Sequence, residues 1–158
     1  DLVVVSPPYD CEASAIDMDA WRAGGQVRVT DSRTYSPNRA NLGRARGRRY
    51  AARMVEVYAA CAQVLRPGGL LVTVTKNSHR RHQAVDLAGA TVALAARAGF
   101  GYCQHVVALH AAVREGVLCA RPSLWQTTRL RHAAARGERT HLVVHEDVCV
   151  FTAPGGGR

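Results

Sequence analysis

The chain has 158 residues, of which 47% are hydrophobic and 21% charged, a composition typical of one globular domain with a single core. No apolar stretch approaches the roughly 20 residues that a transmembrane helix needs, so a membrane protein is excluded and we expect no membrane partner. The formal net charge of +9 favours nucleic acid or another polyanion as partner, although an arginine-rich surface can also serve solvation alone.

The cysteines and histidines carry little sign of a metal or a disulfide framework. Five cysteines occur without Cys-x-x-Cys spacing, which indicates a reducing compartment and therefore a cytoplasmic location. The seven histidines show no spacing typical of metal ligands, so we expect no metal site.

The first predicted element is a β-strand at Leu2–Val5, a short continuous apolar run typical of a fully buried strand. Pro7 and Pro8 end this strand, because neither can donate a backbone hydrogen bond. The stiff loop at Ser6–Tyr9 then presents a hydroxyl, carbonyl groups and an aromatic ring where open α/β sheets bind ligands. Since native termini seldom begin on a buried strand, we expect this chain to be part of a longer protein.

A long polar connection precedes the first helix. Residues 10–49 are basic and interrupted by glycine and proline, as in functional or disordered loops. Apolar residues at helical spacing predict an amphipathic helix over residues 48–65. Pro67-Gly68-Gly69 ends it with a turn, and Leu70–Val74 is predicted as a second buried strand.

A second helix and a third strand follow. The helix is predicted to run to Arg97, with Asp86 in its first turn, where a carboxylate favours the helix dipole. Gly99 is predicted to cap its end, and Tyr102–Leu109 to form the third strand.

The last part of the chain is predicted to be less regular. Residues 110–140 form a basic, irregular excursion with a short helical patch near 127–136. A final strand comprises His141–Val144 and Val148–Phe151, with an interruption around Glu146-Asp147. Residues 1–153 would thus form one unit, and residues 154–158, which are rich in glycine, a flexible tail. The order strand, helix, strand, helix, strand, strand predicts an α/β layered fold with right-handed crossovers.

Three segments together resemble one enzyme family. The stretch from Asp1 to Tyr9 matches motif IV of the AdoMet-dependent DNA amino-methyltransferases, (Asp/Asn/Ser)-Pro-Pro-(Tyr/Phe) after a hydrophobic strand. Val64–Asn77 is similar to the helix, turn and strand that follow this motif, and His145–Phe151 resembles the family's closing strand. The segments occur in the family's order and span nearly the whole chain.

The resemblance implies a fold and an activity. The expected fold is the second half of a Rossmann-like methyltransferase sheet, with three layers and about four strands flanked by helices. The expected reaction transfers a methyl group from S-adenosylmethionine to the exocyclic amino group of a DNA base, cytosine N4 or adenine N6. DNA is then the partner, and the flipped-out base is the substrate.

The same resemblance implies roles for the loop. The Ser6 hydroxyl and the Pro7 carbonyl would accept hydrogen bonds from the target amine, Pro8 would complete the rigid motif, and Tyr9 would stack on the base. The alternatives are that Ser6 caps the loop and that Tyr9 packs beneath the following helix. Asp10, Lys76 and Asn77 are candidates for cofactor or substrate contact, with a capped turn or a solvated strand end as the alternative.

Arginines crowd the loop before the first helix and the end of the second strand. Their predicted role is to bind DNA phosphates, which adds salt-dependent and sequence-independent affinity. This set comprises Arg39, Arg44, Arg46, Arg48, Arg49, Arg80 and Arg81. A second group has the same predicted role, with the tryptophan as either a contact or a local core anchor: Arg121, Trp125, Arg129 and Arg131.

The glycine-rich loop that binds AdoMet in this family has no match here. We therefore expect the AdoMet-binding half of the domain before residue 1 or after residue 158, and the first strand to be an unprotected edge that promotes self-association. The alternative functions are an RNA base methyltransferase and a truncated, inactive nucleic-acid-binding module.

Overall fold

The computed structural model describes residues 1–8, 15–16, 29–30, 41–45, 47–80, 83–138 and 141–155. In chain order its strands are β1 (Leu2–Val5), β2 (Ala15–Ile16), β3 (Val29–Thr30), β4 (Leu70–Thr75), β5 (Ser78–Arg80), β6 (Gln83–Val85), β7 (Gly101–Leu109), β8 (Ala111–Arg114), β9 (Val117–Ala120) and β10 (His145–Thr152). Its helices are α1 (Gly47–Val64), α2 (Leu87–Arg97) and α3 (Leu124–Ala135), and Leu42–Arg44 form a 3-10 turn. None of these helices combines the length and apolarity that crossing a bilayer requires.

The main sheet has four strands in the order β1-β4-β10-β7. β1 is parallel to β4, whereas β10 is antiparallel to both of its neighbours. β1, β4 and β7 therefore run in the same direction, and their carboxyl ends meet at one edge of the sheet. The predicted mixture of helices and strands is confirmed as a mixed α/β fold built around this sheet.

One face of the sheet carries the core. Side chains from alternate positions of β4 and β10 are fully buried there, including Leu71, Cys149 and Phe151. Met54 and Tyr58 of α1 and Ala88 and Ala95 of α2 join the same buried cluster. Since both helices pack on this one face, the sheet and the helix pair account for two of the three predicted layers.

The opposite face exposes apolar side chains, and it corrects the prediction that β1 is fully buried. Val3 and Val5 pack against the core, but Leu2 and Val4 are each 59% exposed. In the register with β4 they share their face with Leu70 and Val72. Within the described residues β1 pairs only with β4, as expected for an edge strand. A continuous run of β-branched residues does not reveal whether both faces are covered.

Helix α1 and the turn after it agree with the sequence within one residue. The helix occupies Gly47–Val64 rather than 48–65. The backbone of Gly68 has a φ of 77°, a left-handed conformation that glycine adopts without strain. A Cβ on Gly69 would lie 2.9 Å from the Arg66 carbonyl oxygen, so the chain needs glycine there to enter β4.

The amino end of α2 has two side-chain caps. Asp86 is the N-cap residue, one position before the predicted first turn, and its carboxylate accepts a hydrogen bond from the Gly89 N–H. Asn77 Oδ1 accepts from the N–H groups of Leu87 and Ala88 at 2.8 and 3.2 Å. At the other end Gly99 has a φ of 91° and follows the helix as predicted.

The second half of the chain is more regular than predicted. Residues 110–140 contain the β8–β9 ribbon in place of the predicted irregular excursion. The predicted helical patch near 127–136 is confirmed as part of the 12-residue helix α3. The final strand is continuous over His145–Thr152, and Glu146 and Asp147 pair within it. The prediction of a strand at His141–Val144 with an interruption after it is therefore wrong. The register irregularity lies instead between Val150 and Phe151.

The remaining parts of the chain are the β5–β6 hairpin, the long connection before α1 and the C-terminal residues. The β5–β6 hairpin was not predicted from the sequence. Of the long connection, only the β2–β3 pair and the segment from Asn41 onward are described. Pro154 and Gly155 form a turn close to Pro67, and residues 156–158 lie outside the described part.

Candidate functional site

The loop after β1 lies at the carboxyl edge of the sheet, as the sequence predicts. Ser6 is exposed, and Pro7 and Pro8 are partly buried. The carbonyl oxygen of Pro8 accepts a 2.7 Å hydrogen bond from the Tyr50 hydroxyl. Because Tyr50 stands near the start of α1, this bond ties the loop to the helix that covers the core.

Tyr50 is a positioning residue that the sequence did not reveal as one. Its place in the apolar pattern of α1 predicted a core side chain, and it does pack against the core. Its hydroxyl, however, supplies the donor that holds the loop. The available signal was chemical, since a buried tyrosine hydroxyl needs a hydrogen-bond partner, but the sequence does not say which carbonyl that is.

The loop has the chemistry of an acceptor site. Two prolines remove two backbone donors, so the carbonyl oxygens and the Ser6 hydroxyl oxygen outnumber the N–H groups of Ser6–Pro8. Tyr50 uses the Pro8 carbonyl, one residue beyond the Pro7 carbonyl that the resemblance assigns to the substrate. Such acceptors suit a ligand that donates N–H groups. Tyr9 and Asp10 lie outside the described residues.

The end of β4 lies beside this loop, because β1 and β4 are adjacent and parallel. Lys76 and Asn77 follow β4 directly and are partly buried. Asn77 has a structural role, since its Oδ1 is bound to two N–H groups of α2. That oxygen is therefore committed to the helix.

The predicted phosphate-binding arginines are described only in part. Arg48 and Arg49 are exposed at the start of α1, the end of the helix that the Tyr50 hydroxyl joins to the loop. Arg44 ends the 3-10 turn and Arg80 ends β5, but their side chains are outside the description. Arg39, Arg46 and Arg81 also lie outside the described residues, as do the side chains of Trp125 and Arg129.

A second polar cluster joins β10 to β7. Asp147 is only 3% exposed, and its Oδ1 lies 2.9 Å from His105 Nε2 and 3.9 Å from His145 Nε2. The other carboxylate oxygen of Asp147 has no hydrogen-bond partner among the described residues. Thr75 pairs with Asp147 in the register of β4 and β10, and its buried hydroxyl likewise has no partner among these residues. No signal in the sequence pointed to this cluster, because its members become neighbours only through strand pairing.

The thiol beside this cluster is not activated. Burial raises the pKa of Cys149, and the Asp147 carboxylate raises it further, so the neutral thiol dominates at neutral pH. Within the described ranges, His, Cys, Asp and Glu side chains form no group of three or more that would suit a metal ion.

No protein-family model matches the sequence, and a search of the curated proteins finds no relative. Solved structures with a similar fold include TTHA0409, a candidate DNA modification methylase from Thermus thermophilus, with a TM-score of 0.51 and 18% identity. That similarity covers 99% of this chain and 47% of TTHA0409. The selenomethionine derivative of the same protein gives a TM-score of 0.47 and 17% identity over 69% of this chain and 38% of that one. At these identities the likeness is one of fold, and this chain spans about half the length of TTHA0409.

Proposed function

We propose that this chain is the catalytic-side segment of a DNA methyltransferase that acts on the exocyclic amino group of cytosine or adenine. The observation that carries the proposal is the Ser6-Pro7-Pro8 loop at the carboxyl end of β1, held by the Tyr50 hydroxyl at 2.7 Å. A fold similar to that of a candidate DNA modification methylase supports it, as does the net charge of +9.

The proposed chemistry depends on orientation. An amine conjugated to a heteroaromatic ring is a poor nucleophile, because its lone pair is delocalised into the ring. The Ser6 hydroxyl oxygen and the Pro7 carbonyl would accept its two N–H groups and turn the lone pair out of the ring plane. Tyr9 would stack on the base after it leaves the duplex, and Arg48 and Arg49 would contact phosphates.

S-adenosylmethionine is the proposed methyl donor, and when bound it supplies an electrophilic methyl group. The carboxamide oxygen of Asn77 is bound to α2, so of the three predicted cofactor contacts, Asp10, Lys76 and Asn77, the last offers its amide nitrogen rather than its oxygen. We therefore assign the main cofactor contacts to a further polypeptide segment that pairs with β1. The exposed apolar side chains of Leu2 and Val4 and the length of TTHA0409 support such a segment.

The test is methyl transfer by the full-length protein. Radiolabelled S-adenosylmethionine and duplex DNA are incubated with wild type, Ser6→Ala, Tyr9→Ala and Tyr50→Phe. We expect Ser6→Ala to lose at least about a hundredfold in rate, comparable with removal of a transition-state hydrogen bond. Tyr9→Ala should lose roughly tenfold to a hundredfold, because stacking on a base contributes about 1–3 kcal/mol. Tyr50→Phe keeps the packed ring and should lose about fivefold, because a neutral hydrogen bond contributes roughly 1 kcal/mol. Gln63→Ala, exposed near the end of α1 and so at the other end of that helix from Tyr50, is the control and should retain the wild-type rate.

The same assay separates the alternatives. Mass spectrometry of the digested DNA identifies N4-methylcytosine or N6-methyladenine as the product. Incorporation into RNA in preference to DNA would replace the proposal with an RNA base methyltransferase. If the full-length protein binds DNA but calorimetry detects no S-adenosylmethionine binding, the chain belongs to an inactive nucleic-acid-binding protein and the proposal is wrong.

A further inference from the structure

The β8–β9 ribbon stands apart from the main sheet. Its two strands pair with each other, with Val113 opposite Leu118 and Arg114 opposite Val117. The turn residues Glu115 and Gly116 have φ angles of 52° and 78°, as in the type I′ turns that join tightly twisted hairpins. Within the described part of the chain the ribbon belongs to no larger sheet.

Backbone hydrogen bonds hold the base of the ribbon at the carboxyl ends of the parallel strands, where the candidate site also lies. The His110 N–H donates to the Val144 carbonyl and the Arg121 N–H to the His110 carbonyl, both at 2.7 Å. The ribbon thus leaves the sheet at the carboxyl end of β7, the same edge as the Ser6–Pro8 loop. β7, which leads into the ribbon, and β1, which leads into the Ser6–Pro8 loop, are three positions apart in the sheet. Their separation is therefore roughly 15 Å.

The ribbon exposes apolar side chains in a way that calls for a partner. Val113, Val117 and Leu118 are 74%, 62% and 61% exposed. A two-stranded ribbon is at best marginally stable in water, and these three side chains gain little from folding while they face solvent. Contact with another surface would stabilise both the side chains and the ribbon.

The arginines of the ribbon favour a partner that carries negative charge. Arg114 lies directly across from Val117, and Arg121 stands at the base; both are exposed, and neither forms an ion pair within the described residues. An apolar protein surface that covered Val117 would also desolvate the Arg114 guanidinium without a counter-charge. A DNA groove offers phosphates to the arginines and sugars or thymine methyl groups to the valines and leucine.

We propose that the β8–β9 ribbon is a DNA-contacting arm that enters a groove of the duplex beside the base to be methylated, an inference that rests on the proposed function. The major groove is about 12 Å wide and admits a two-stranded ribbon. The arm would thereby contribute to the choice of DNA sequence.

The test measures binding of the full-length protein to a fluorescein-labelled DNA duplex of mixed sequence, by anisotropy over a series of NaCl concentrations. Val113→Thr/Leu118→Thr places strand-favouring β-branched but more polar side chains on the ribbon and should weaken binding about tenfold with an unchanged salt slope. Arg114→Gln should weaken it several-fold and lower the salt slope by about one. Glu115→Gln removes the acidic group at the turn and should strengthen binding about twofold.

The matched controls lie at the opposite edge of the sheet. Val64→Thr changes a valine that is 74% exposed, like Val113, and Arg97→Gln changes an exposed arginine at the end of α2. Both should bind DNA like wild type. Wild-type affinity in all three ribbon variants would overturn the proposal, and so would a change in sedimentation from dimer to monomer without loss of DNA affinity, which would make the ribbon an interface between copies.

The proposed function and the ribbon proposal fail separately. If Ser6→Ala abolishes methyl transfer while the ribbon variants bind DNA like wild type, the ribbon proposal is wrong and the proposed function stands. If the wild-type protein transfers no methyl group but the ribbon variants lose duplex affinity as expected, the proposed function is wrong and the arm still contacts DNA.

Discussion

The two faces of the main sheet are both apolar but lie in opposite environments. On one face Leu71, Cys149 and Phe151 are fully buried beneath α1 and α2. On the other, Leu2, Val4 and Leu70 are 38–59% exposed, although this face is richer in valine and leucine than the buried one. Hydrophobic side chains therefore do not by themselves identify the core of this chain.

The difference assigns stability to one face and association to the other. The free energy of folding comes from area that is removed from water, so the face beneath the helices supplies it. The exposed face would contribute free energy in the same way only when another surface covers it, and it adjoins the unpaired edge of β1. This separation predicts effects on stability, on its pH dependence and on association. The largest effect is expected for stability and the smallest at the exposed face.

Truncating one buried side chain on the helix-covered face is expected to have the largest effect. Phe151→Ala removes a ring that is 0% exposed and contacts Tyr102 at a centroid distance of 5.6 Å. It should lower the free energy of unfolding by about 3–5 kcal/mol. Val4→Ala on the exposed face should lower it by less than about 1 kcal/mol. Urea denaturation followed by circular dichroism measures both, and equal losses would contradict the contrast between the faces.

The helix-covered face should also make stability depend on alkaline pH. Burial raises the pKa of Tyr58 from 10.0 to about 12. The folded state thus holds this proton more tightly than the unfolded state, so its contribution is complete below pH 10 and is lost as the pH rises towards about 12. The loss should reach roughly 2–3 kcal/mol.

Tyr58→Phe is the matching variant for that measurement. It loses the hydrogen bond between the Tyr58 hydroxyl and Thr91, at a cost of about 1 kcal/mol, but its stability should decline less over the same pH range. Val57→Ala, at a neighbouring position that is 40% exposed, should keep the wild-type pH dependence. An equal decline in Tyr58→Phe and wild type would show that other groups control the alkaline transition.

The sequence predicted the strands and helices of the helix-covered face well, because their signals are local. The apolar period of α1, the Pro67-Gly68-Gly69 turn and the Asp86 and Gly99 ends of α2 are each set by neighbouring residues. The position of the Ser6–Pro8 loop could be predicted for the same reason. The Tyr50 hydrogen bond that holds it could not, because it joins residues 42 positions apart in the chain.

The wrong predictions concern features that depend on distant partners. Asp147 suggested a break in the last strand, yet it lies inside β10 because His105 of β7 meets its carboxylate. The ribbon was missed because its turn is Glu115-Gly116, whose first residue is outside the Asn, Asp and Gly preferred there. The exposure of β1 was missed because an apolar run predicts burial on both faces without showing what would cover them.

The pair formed by His105 and Asp147 tests whether polar contacts at the margin of the helix-covered face stabilise the fold, as the apolar contacts at its centre do. His105→Ala leaves a buried carboxylate with no donor in place of the 2.9 Å contact, and should cost about 2 kcal/mol. Asp147→Asn can still bond to the imidazole and should cost less. In the double variant His105→Ala/Asp147→Asn, the loss should be smaller than the sum of the two single losses, as thermal denaturation at neutral pH would measure. Strict additivity would mean that the pair contributes no coupling.

The exposed face gives the smallest effect on stability but a distinct effect on association. Leu2 and Val4 stand at the open edge of β1, where an unpaired strand pairs readily with another chain. Leu2→Lys/Val4→Lys should therefore weaken self-association of the isolated 158-residue chain at least about tenfold, roughly 1.4 kcal/mol, while its unfolding midpoint changes little. Sedimentation velocity over a concentration series measures the association. Val113→Lys/Leu118→Lys provides the control, because those residues are at least as exposed but lie on the ribbon. If only the control variant becomes monomeric, association occurs through the ribbon and not through the open face of the sheet.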